Sequence, residues 1–295
     1  MHLQLDDVAL FVRIVELGTL SAAARERDVP VSQVTRSLVR LEAACSARLL
    51  HRTTHHLSLT DEGERVLAHG RRLLDTAAEL EGELSGRIAG PSGWVRIGVS
   101  PVLAQSVIAP VLASLYRKHP QLHVDIAAED RIVDMAREGI DLALRTGPVD
   151  NENLVARPIA DLARSLYAAP AYAAEFGLPK DADELHRHRL IGFSDNPRLN
   201  RWVLGREPGA RELQVQGHTR TDNTAVVLAL AMGGVGIARL ADLVAQPLLE
   251  AGALVRVLDG QVAIPAVPMV AVMPRDRHRL PKVRAVVEHL LRAWH

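Results

Sequence analysis

Apolar positions recur at helical spacing through the first ninety residues and in strand-like runs afterwards, and this change of period divides the chain. Leu5, Val8, Phe11, Val12 and Val15 share one helical face, and Gly18 supplies the stop. A second helix is predicted over 22–27, capped by Ser21, with three consecutive alanines that let a neighbour approach closely. A third is predicted over 31–44, with Val34, Leu38 and Leu41 on one stripe. The alternating stretch 49–59, with Arg52, Thr53, Thr54, His55 and His56 at its centre, reads as a small hairpin. Thr60 is a good cap for a long helix over 60–89, and Asp61 and Glu62 complement the positive end of its dipole. At about 1.5 Å per residue that helix would run roughly 40 Å. Along it Val66, Gly70, Leu73, Ala77, Leu80 and Leu84 alternate spacings of four and three, the pattern of a helix-pairing seam. Packing against the chain's own body is the alternative.

Gly90-Pro91-Ser92-Gly93 reads as a linker, after which strands and helices alternate. Strands are predicted at 94–99, 123–128 and 141–145, with helices at 103–117 and 132–138 between them. This βαβαβ order implies a parallel sheet with helices on its faces. A second set follows: strands near 164–168, 189–193, 213–217 and 254–258, and helices near 183–187 and 225–232. A strand at 269–273 and a helix at 282–293 close the chain. Two small α/β lobes with a cleft between them are expected, lobe I over about 91–162 and 268–295, lobe II over about 163–267.

Composition narrows the class. With 48% apolar and 24% charged residues, the 295-residue chain is an ordinary globular protein of two or three domains. The longest apolar run, 225–238, is interrupted by Gly233 and Gly234 and is too short to span a membrane. The first residues carry no signal-peptide pattern, so the expectation is a cytoplasmic protein. Cys45 is the only cysteine, which excludes an internal disulfide; its place near the end of the third helix favours burial over redox chemistry. Net charge is zero, but 25–56 holds six arginines against three carboxylates. A neutral protein can still turn a basic face to phosphates.

The first helices have the spacing of a helix-turn-helix. Small Ala24 falls where two helices cross, a turn follows at Asp28, and Val34 packs the next helix back. That helix turns Ser32, Gln33, Arg36 and Arg40 outward, residue types that bond base edges or phosphates. A plain three-helix packing with solvated polar residues is the competing reading. The wider pattern decides between them. Leu5-x5-Phe11-x3-Val15-Glu16-x-Gly18-Thr19-Leu20-Ser21-Ala22-Ala23-Ala24 precedes Val34-Thr35-Arg36-x3-Arg40-Leu41-Glu42, Arg48-Leu49-Leu50-x-Arg52-Thr53 and Leu59-Thr60-x2-Gly63. Downstream come His119-Pro120, Glu138-Gly139-x-Asp141-Leu142-Ala143-Leu144-Arg145-x-Gly147, Ala169-Pro170-Ala171-Tyr172, Gly233-Gly234-x-Gly236-Ile237 and Gly252-x-Leu254-Val255. Over essentially its whole length the chain resembles the LysR-type transcriptional regulators.

That resemblance implies a winged helix-turn-helix at 1–59, a dimerising linker helix at 60–89, and a two-lobed α/β effector-binding domain at 90–295, like periplasmic binding proteins. It implies promoter DNA, a small-molecule effector and a homodimer or homotetramer as partners, with no cofactor and no membrane. Thr35, Arg52 and Thr53 join Ser32, Gln33, Arg36 and Arg40 as expected DNA contacts by matching its motifs. Departures are Asp28 and Ser46 where the family has glycine, Pro30 where it has a Ser/Thr cap, Arg27 for an apolar residue and Leu50 for phenylalanine. Asp tolerates the left-handed backbone better than most residues, so the turn is expected to survive.

Ligands of open α/β sheets lie beyond the carboxyl ends of strands. Here those ends are Ser100-Pro101, Glu129-Asp130 and Arg145-Thr146 in lobe I, and Ser194 and Thr221-Asp222-Asn223-Thr224 in lobe II. Hydroxyls at Ser100 and Thr146, free N–H groups after Ser100 and the Arg145 charge favour a small carboxylate effector. Ordinary caps and turns are the alternative for each residue singly. His51, His55 and His56, or His186 and His188, lack the further ligands of a metal site. Gly233-Gly234-Val235-Gly236 lacks the spacing of a dinucleotide loop. A cytoplasmic small-molecule-binding protein or an enzyme built on the lobes is the competing function; no triad, metal set or cofactor loop supports catalysis.

Overall fold

The computed structural model describes residues 3–52, 57–84, 90–149, 151–205 and 211–294. Within them the chain forms two compact units, Met1–Gly93 with Val133–Ile140, and Trp94–Ile132 with Asp141–His295.

The first unit begins with α1 (Leu5–Leu17), α2 (Leu20–Glu26) and α3 (Val31–Cys45). Gly18 takes the left-handed conformation that ends α1. The cap of α2 is Thr19 rather than Ser21: its hydroxyl accepts the Ala22 N–H at 3.1 Å, so the helix starts earlier than predicted. Asp28 is left-handed at φ 52°, as is Ser46, so both turns survive without glycine. Pro30 sits at the N-cap of α3, where its missing N–H costs nothing. Phe11, Ile14, Ala24, Val34, Leu38, Leu41 and Leu49 share one core, each burial of a large apolar side chain contributing about 1.5–3 kcal/mol.

The wing is β1 (Leu50–Arg52) paired antiparallel with β2 (Leu57–Leu59), and the long helix is α4 (Asp61–Leu84). Thr60 fastens hairpin to helix. Its hydroxyl accepts the Gly63 N–H at 2.9 Å and donates to the Arg48 carbonyl at 2.7 Å. Gly63 must be glycine, because a Cβ there would stand 2.0 Å from the Leu49 carbonyl oxygen. The seam read from sequence is divided in two. A Cβ on Gly70 would lie 2.8 Å from Val8, and Val66 packs on the helix-turn-helix core, so the first half serves the unit's own body. Leu73 and Leu80, 50% and 55% exposed, face away from it; the Leu84 side chain lies outside the described residues.

The helix predicted over 132–138 is a single turn. Asp134 accepts the N–H groups of Ala136 and Arg137, Glu138 closes one helical bond to the Asp134 carbonyl at 2.9 Å, and left-handed Gly139 stops it. Five residues of turn flanked by short polar bonds cannot propagate a helix.

The second unit opens with β3 (Gly93–Val99), α5 (Pro101–Leu103), a π-helical turn over Ala104–Ile108 and α6 (Ala109–Lys118). Then come β4 (Leu122–Ala128), β5 (Leu142–Thr146), β6 (Leu154–Leu162) and β7 (Arg164–Ala168). The helices α7 (Pro170–Phe176), α8 (Thr224–Met232), α9 (Asp242–Glu250) and α10 (Pro281–Trp294) alternate with β8 (Ile191–Phe193), β9 (Arg201–Leu204), β10 (Arg211–Gln214), β11 (Thr219–Thr221), β12 (Ala238–Ala241), β13 (Val255–Val257) and β14 (Val267–Pro274).

Five strands in the order β4-β3-β5-β14-β6 form the sheet of one lobe. The expectation of a purely parallel sheet is corrected. β3 and β5 are parallel, but β14 runs antiparallel to both β5 and β6, because the chain returns from the other lobe to enter the sheet backwards. The other lobe has the sheet β12-β7-β13 and the parallel pair β8-β11, joined to it by a bridge between Leu190 and Ile237. The single strand read near 213–217 is two, β10 and β11, with β10 closing a hairpin on β9. Apolar clusters fill the first lobe and both faces of the β12-β7-β13 sheet.

Candidate nucleic-acid interface and lobe-junction site

Helix α3 is amphipathic with its apolar side fully committed: Val34, Leu38 and Leu41 are buried. Ser32, Gln33 and Arg36 are exposed on the other side. Arg36 Nε touches only the Ser32 carbonyl one turn back, at 3.3 Å, and the Thr35 hydroxyl donates to the Val31 carbonyl at 3.0 Å. Arg40 differs from its neighbours. Its guanidinium forks onto the buried Asp7 carboxylate of α1, at 2.7 and 3.1 Å, and reaches Ser37 at 2.7 Å. It therefore clamps α3 to α1. This charge-assisted tie was invisible to spacing because its partners lie 33 residues apart. Arg52 pairs with Leu57 through its backbone in the wing; its side chain, with Thr53, Thr54, His55 and His56, lies outside the described residues. Cys45 is partly buried, which pushes its thiol above the ordinary value and away from reactivity.

In the second unit, parallel register between Ile97 and Leu142 carries Ser100 and Thr146 to the same end of one sheet. The Glu129 N–H bonds the Val99 carbonyl at 2.9 Å and brings Asp130 there too. From the other lobe, the Ser194 N–H bonds the Thr221 carbonyl at 3.1 Å, so the ends of β8 and β11 converge beside the start of α8. The lobes meet at this point. Thr224 donates its N–H at 2.7 Å and its hydroxyl at 3.1 Å to one oxygen of Asp130. A carboxylate of the chain itself thus sits at the positive end of α8.

Several residues read as ligand contacts already have work to do. Asn223 caps α8, accepting the N–H groups of Ala225 and Val226, and Thr221 accepts the N–H of Asn223. Arg145 lies half-buried on the central strand β5. Asp141 accepts the Arg96 N–H at 2.9 Å and pairs with buried Arg277 at 2.5 Å. Ser100, next to Pro101 at the start of α5, makes no side-chain cap bond, which leaves its hydroxyl available. One signal was missed. Arg164 at the start of β7 reaches the Thr146 hydroxyl at 3.4 Å.

A cavity of about 690 Å³ lies elsewhere, under α7, lined by Tyr172, Phe176, His186, His188, Arg189 and His218 among others. Its Tyr172 hydroxyl is taken up by His188 and the Arg189 N–H. Volume alone does not favour it, since the strand ends and both hydroxyls converge at the junction instead. Among the described residues no group of three or more His, Cys, Asp or Glu side chains could hold a metal ion. Among the same residues no helix is long and apolar enough to cross a membrane.

A helix-turn-helix with a wing, followed by a two-lobed α/β domain, defines a DNA-binding transcriptional regulator that carries an effector domain. The chain belongs to the LysR family: residues 5–64 match the bacterial regulatory helix-turn-helix protein, lysR family, and residues 89–295 match the LysR substrate binding domain. It is 33% identical over 97% of its length to an HTH-type transcriptional regulator of Xanthomonas campestris pv. campestris (strain 8004), covering 84% of that protein. Among solved structures it is similar to CrgA, a LysR-type regulator from Neisseria meningitidis, with a TM-score of 0.66, 26% identity and 99% of each chain covered. It is also similar to the full-length Vibrio cholerae virulence activator AphB, with a TM-score of 0.60 and 27% identity over 99% of this chain and 100% of that one.

The Asp130 contact carries a pH signature. Burial raises this carboxyl above its ordinary value and Asp222 adds to the rise, against the two Thr224 bonds. A raised native value means the folded state holds the proton longer, so this group's contribution falls as pH rises from the ordinary carboxylate range through the raised value. In Asp130→Asn that slope is gone. Melting temperatures of variant and parent should differ little well below pH 4 and diverge in the variant's favour as pH rises. A difference that stays constant from pH 3.5 to 8 would contradict this assignment.

Proposed function

We propose that this regulator reads promoter DNA through Ser32, Gln33 and Arg36 on α3, with Thr35 beside them and Arg52 and Thr53 contributing from the wing. The observation that carries it is the exposed polar face of α3 on a helix fixed to α1 by Asp7 and Arg40. Arg40 acts chiefly as the clamp and presents its remaining surface to phosphate. The tested DNA is the segment upstream of the protein's own gene and of its neighbour, in gel-shift assays. Gln33→Ala should lose about 1–3 kcal/mol at one base pair and relax sequence preference. Arg36→Ala should weaken all sites evenly and lower the salt slope by about one unit. Folded variants that bind as the parent does would remove α3 from the interface.

The domain limits follow the same reading: 1–59 for DNA, 60–89 for assembly and 90–295 for the effector. Exposed Leu73 and Leu80 are the half of the α4 seam left for a second copy, so the protein works as a dimer or a pair of dimers in the cytoplasm, without catalysis of its own. Leu73→Glu or Leu80→Glu places a charge in that seam. Both should split the assembly in light scattering and, since two-fold proteins read paired half-sites, weaken DNA binding with it. Full-size particles from folded variants would locate the seam elsewhere.

The effector binds at the lobe junction, where Ser100 with Pro101, Arg145 and Thr146 face Ser194, Thr221, Asn223 and Thr224, and it is a small carboxylate. Support comes from the convergence of strand ends from both lobes and from the free Ser100 hydroxyl. Binding shifts promoter output only by favouring one lobe or subunit arrangement. Ser100→Ala and Thr146→Val should abolish the reporter response to inducer and leave inducer-free operator binding nearly intact. A normal response from both variants across the inducer range would refute the placement.

A further inference from the structure

We propose that Arg164 and Arg239 form the charge-recognition element of the junction site and that its ligand is a small dicarboxylate. This rests on the effector reading above and adds the chemical class of the ligand and residues that reading did not contain.

Strands β7 and β12 are antiparallel, with Arg164 opposite Ala241 and Leu166 opposite Arg239. The two arginines therefore stand on one face as diagonal neighbours, a spacing of about 7–8 Å between backbones that long side chains bridge easily. Their face is otherwise apolar: Leu166 and Ala168 belong to the buried cluster that includes Trp202, and the Arg239 guanidinium lies over the Trp202 ring at 5.9 Å. Both arginines are largely withdrawn from solvent.

Their partners are all neutral. Arg239 donates to the carbonyls of Leu199 at 2.8 Å and Arg201 at 3.1 Å. Arg164 has the Thr146 hydroxyl, at 3.4 Å. Elsewhere in this unit arginines in comparable surroundings are matched by carboxylates, as Arg277 is by Asp141 and Arg256 by Asp242 and Asp259. Among the described residues no carboxylate lies within ion-pair distance of Arg164 or Arg239. Burial depresses both guanidinium values, that of Arg239 to about 10 with help from the Arg164 charge, and an arginine side chain keeps its charge in proteins. Two adjacent cations without a counter-charge are costly in such surroundings, and an anion of two charges removes the cost.

Arg164 ties the pair to the site. It is the first residue of β7, immediately past the crossing between lobes, and its side chain bonds Thr146 at the end of β5. Planar guanidinium forks match carboxylates in two dimensions. The same forks take phosphate oxygens, but two of them at this spacing fit an anion whose two charges sit on separate groups, as those of a dicarboxylate do. The start of α8 is already filled by the Asn223 cap and the Asp130 carboxylate, so the anion's charge falls to the two arginines.

The test uses the full-length protein, with malonate as the dicarboxylate, malonamide as its uncharged analogue and sulfate at matched ionic strength as a non-planar dianion. Malonate should raise the melting temperature saturably, malonamide should not, and sulfate should act more weakly. Arg164→Gln should weaken malonate binding by about tenfold or more in calorimetry while leaving the ligand-free melting temperature equal or higher. Arg164→Glu, which supplies Arg239 with a counter-charge, should raise that temperature and abolish malonate binding. If Arg164→Gln does not fold, Arg239→Lys serves as the second variant, keeping the charge but losing the fork; it should weaken malonate without abolishing it. No saturable malonate effect, an equal effect of sulfate, or unchanged binding in Arg164→Gln would each overturn the proposal. The effector reading fails separately, if Ser100→Ala and Thr146→Val respond normally to inducer while malonate binding still depends on Arg164.

Discussion

The second unit depends on one topological constraint, that its chain crosses between two sheets twice. It leaves the five-stranded sheet at the end of β6, passes through Ala163, and starts β7 in the other lobe. It returns after β13 to enter the first sheet as β14, beside β6. Two neighbouring crossings hold the sheet ends at one junction, and the ends of β3, β4 and β5 share it. The antiparallel entry of β14 is the same fact seen from within the sheet. A strand that comes back from the junction must point away from it.

What the junction does with its side chains follows from hydrogen-bond accounting. Buried polar groups need partners, and the starts of helices need acceptors. Asn223, Thr221 and Asp130 meet those needs within the chain. The groups left over, the Ser100 hydroxyl and the Arg164 and Arg239 charges, are the ones the proposed ligand would satisfy. Because Asp130 belongs to one lobe and Thr224 to the other, any ligand that parts the lobes must also break a bond made by a partly buried carboxylate.

Local rules carried the first unit well. Gly18, Asp28 and Thr60 do what their backbone and capping preferences dictate, and the apolar stripe of α4 is visible as spacing because helical spacing is itself local. Spacing could not say which half of the stripe the body would claim; that follows from Val8 and Val12, whose packing on Gly70 is a tertiary event. The second unit was less legible. β6, β9, β12, α7 and α9 went unread, the first two because edge or hairpin strands rich in charged residues carry no clean alternation, as in Arg157 and Asp161 on β6. The arginine pair escaped because Arg164 and Arg239 are 75 positions apart, each an unremarkable charge until register sets them side by side.

Helix α1 touches α3 through Asp7 and α4 through Val8 and Val12, on adjacent positions of one face. Reading helix and long helix are therefore welded to a common wall and turn as one body. With 24 residues, α4 is a lever of about 36 Å, so that a rotation of only ~5° about its far end would carry the whole head through roughly 3 Å. Paired reading heads on DNA are separated by about one helical turn, 34–36 Å, and tolerate little error in that distance. In the proposed dimer, small changes of angle between the two long helices would in this way become large changes of fit on the duplex, with no rearrangement needed inside the head itself.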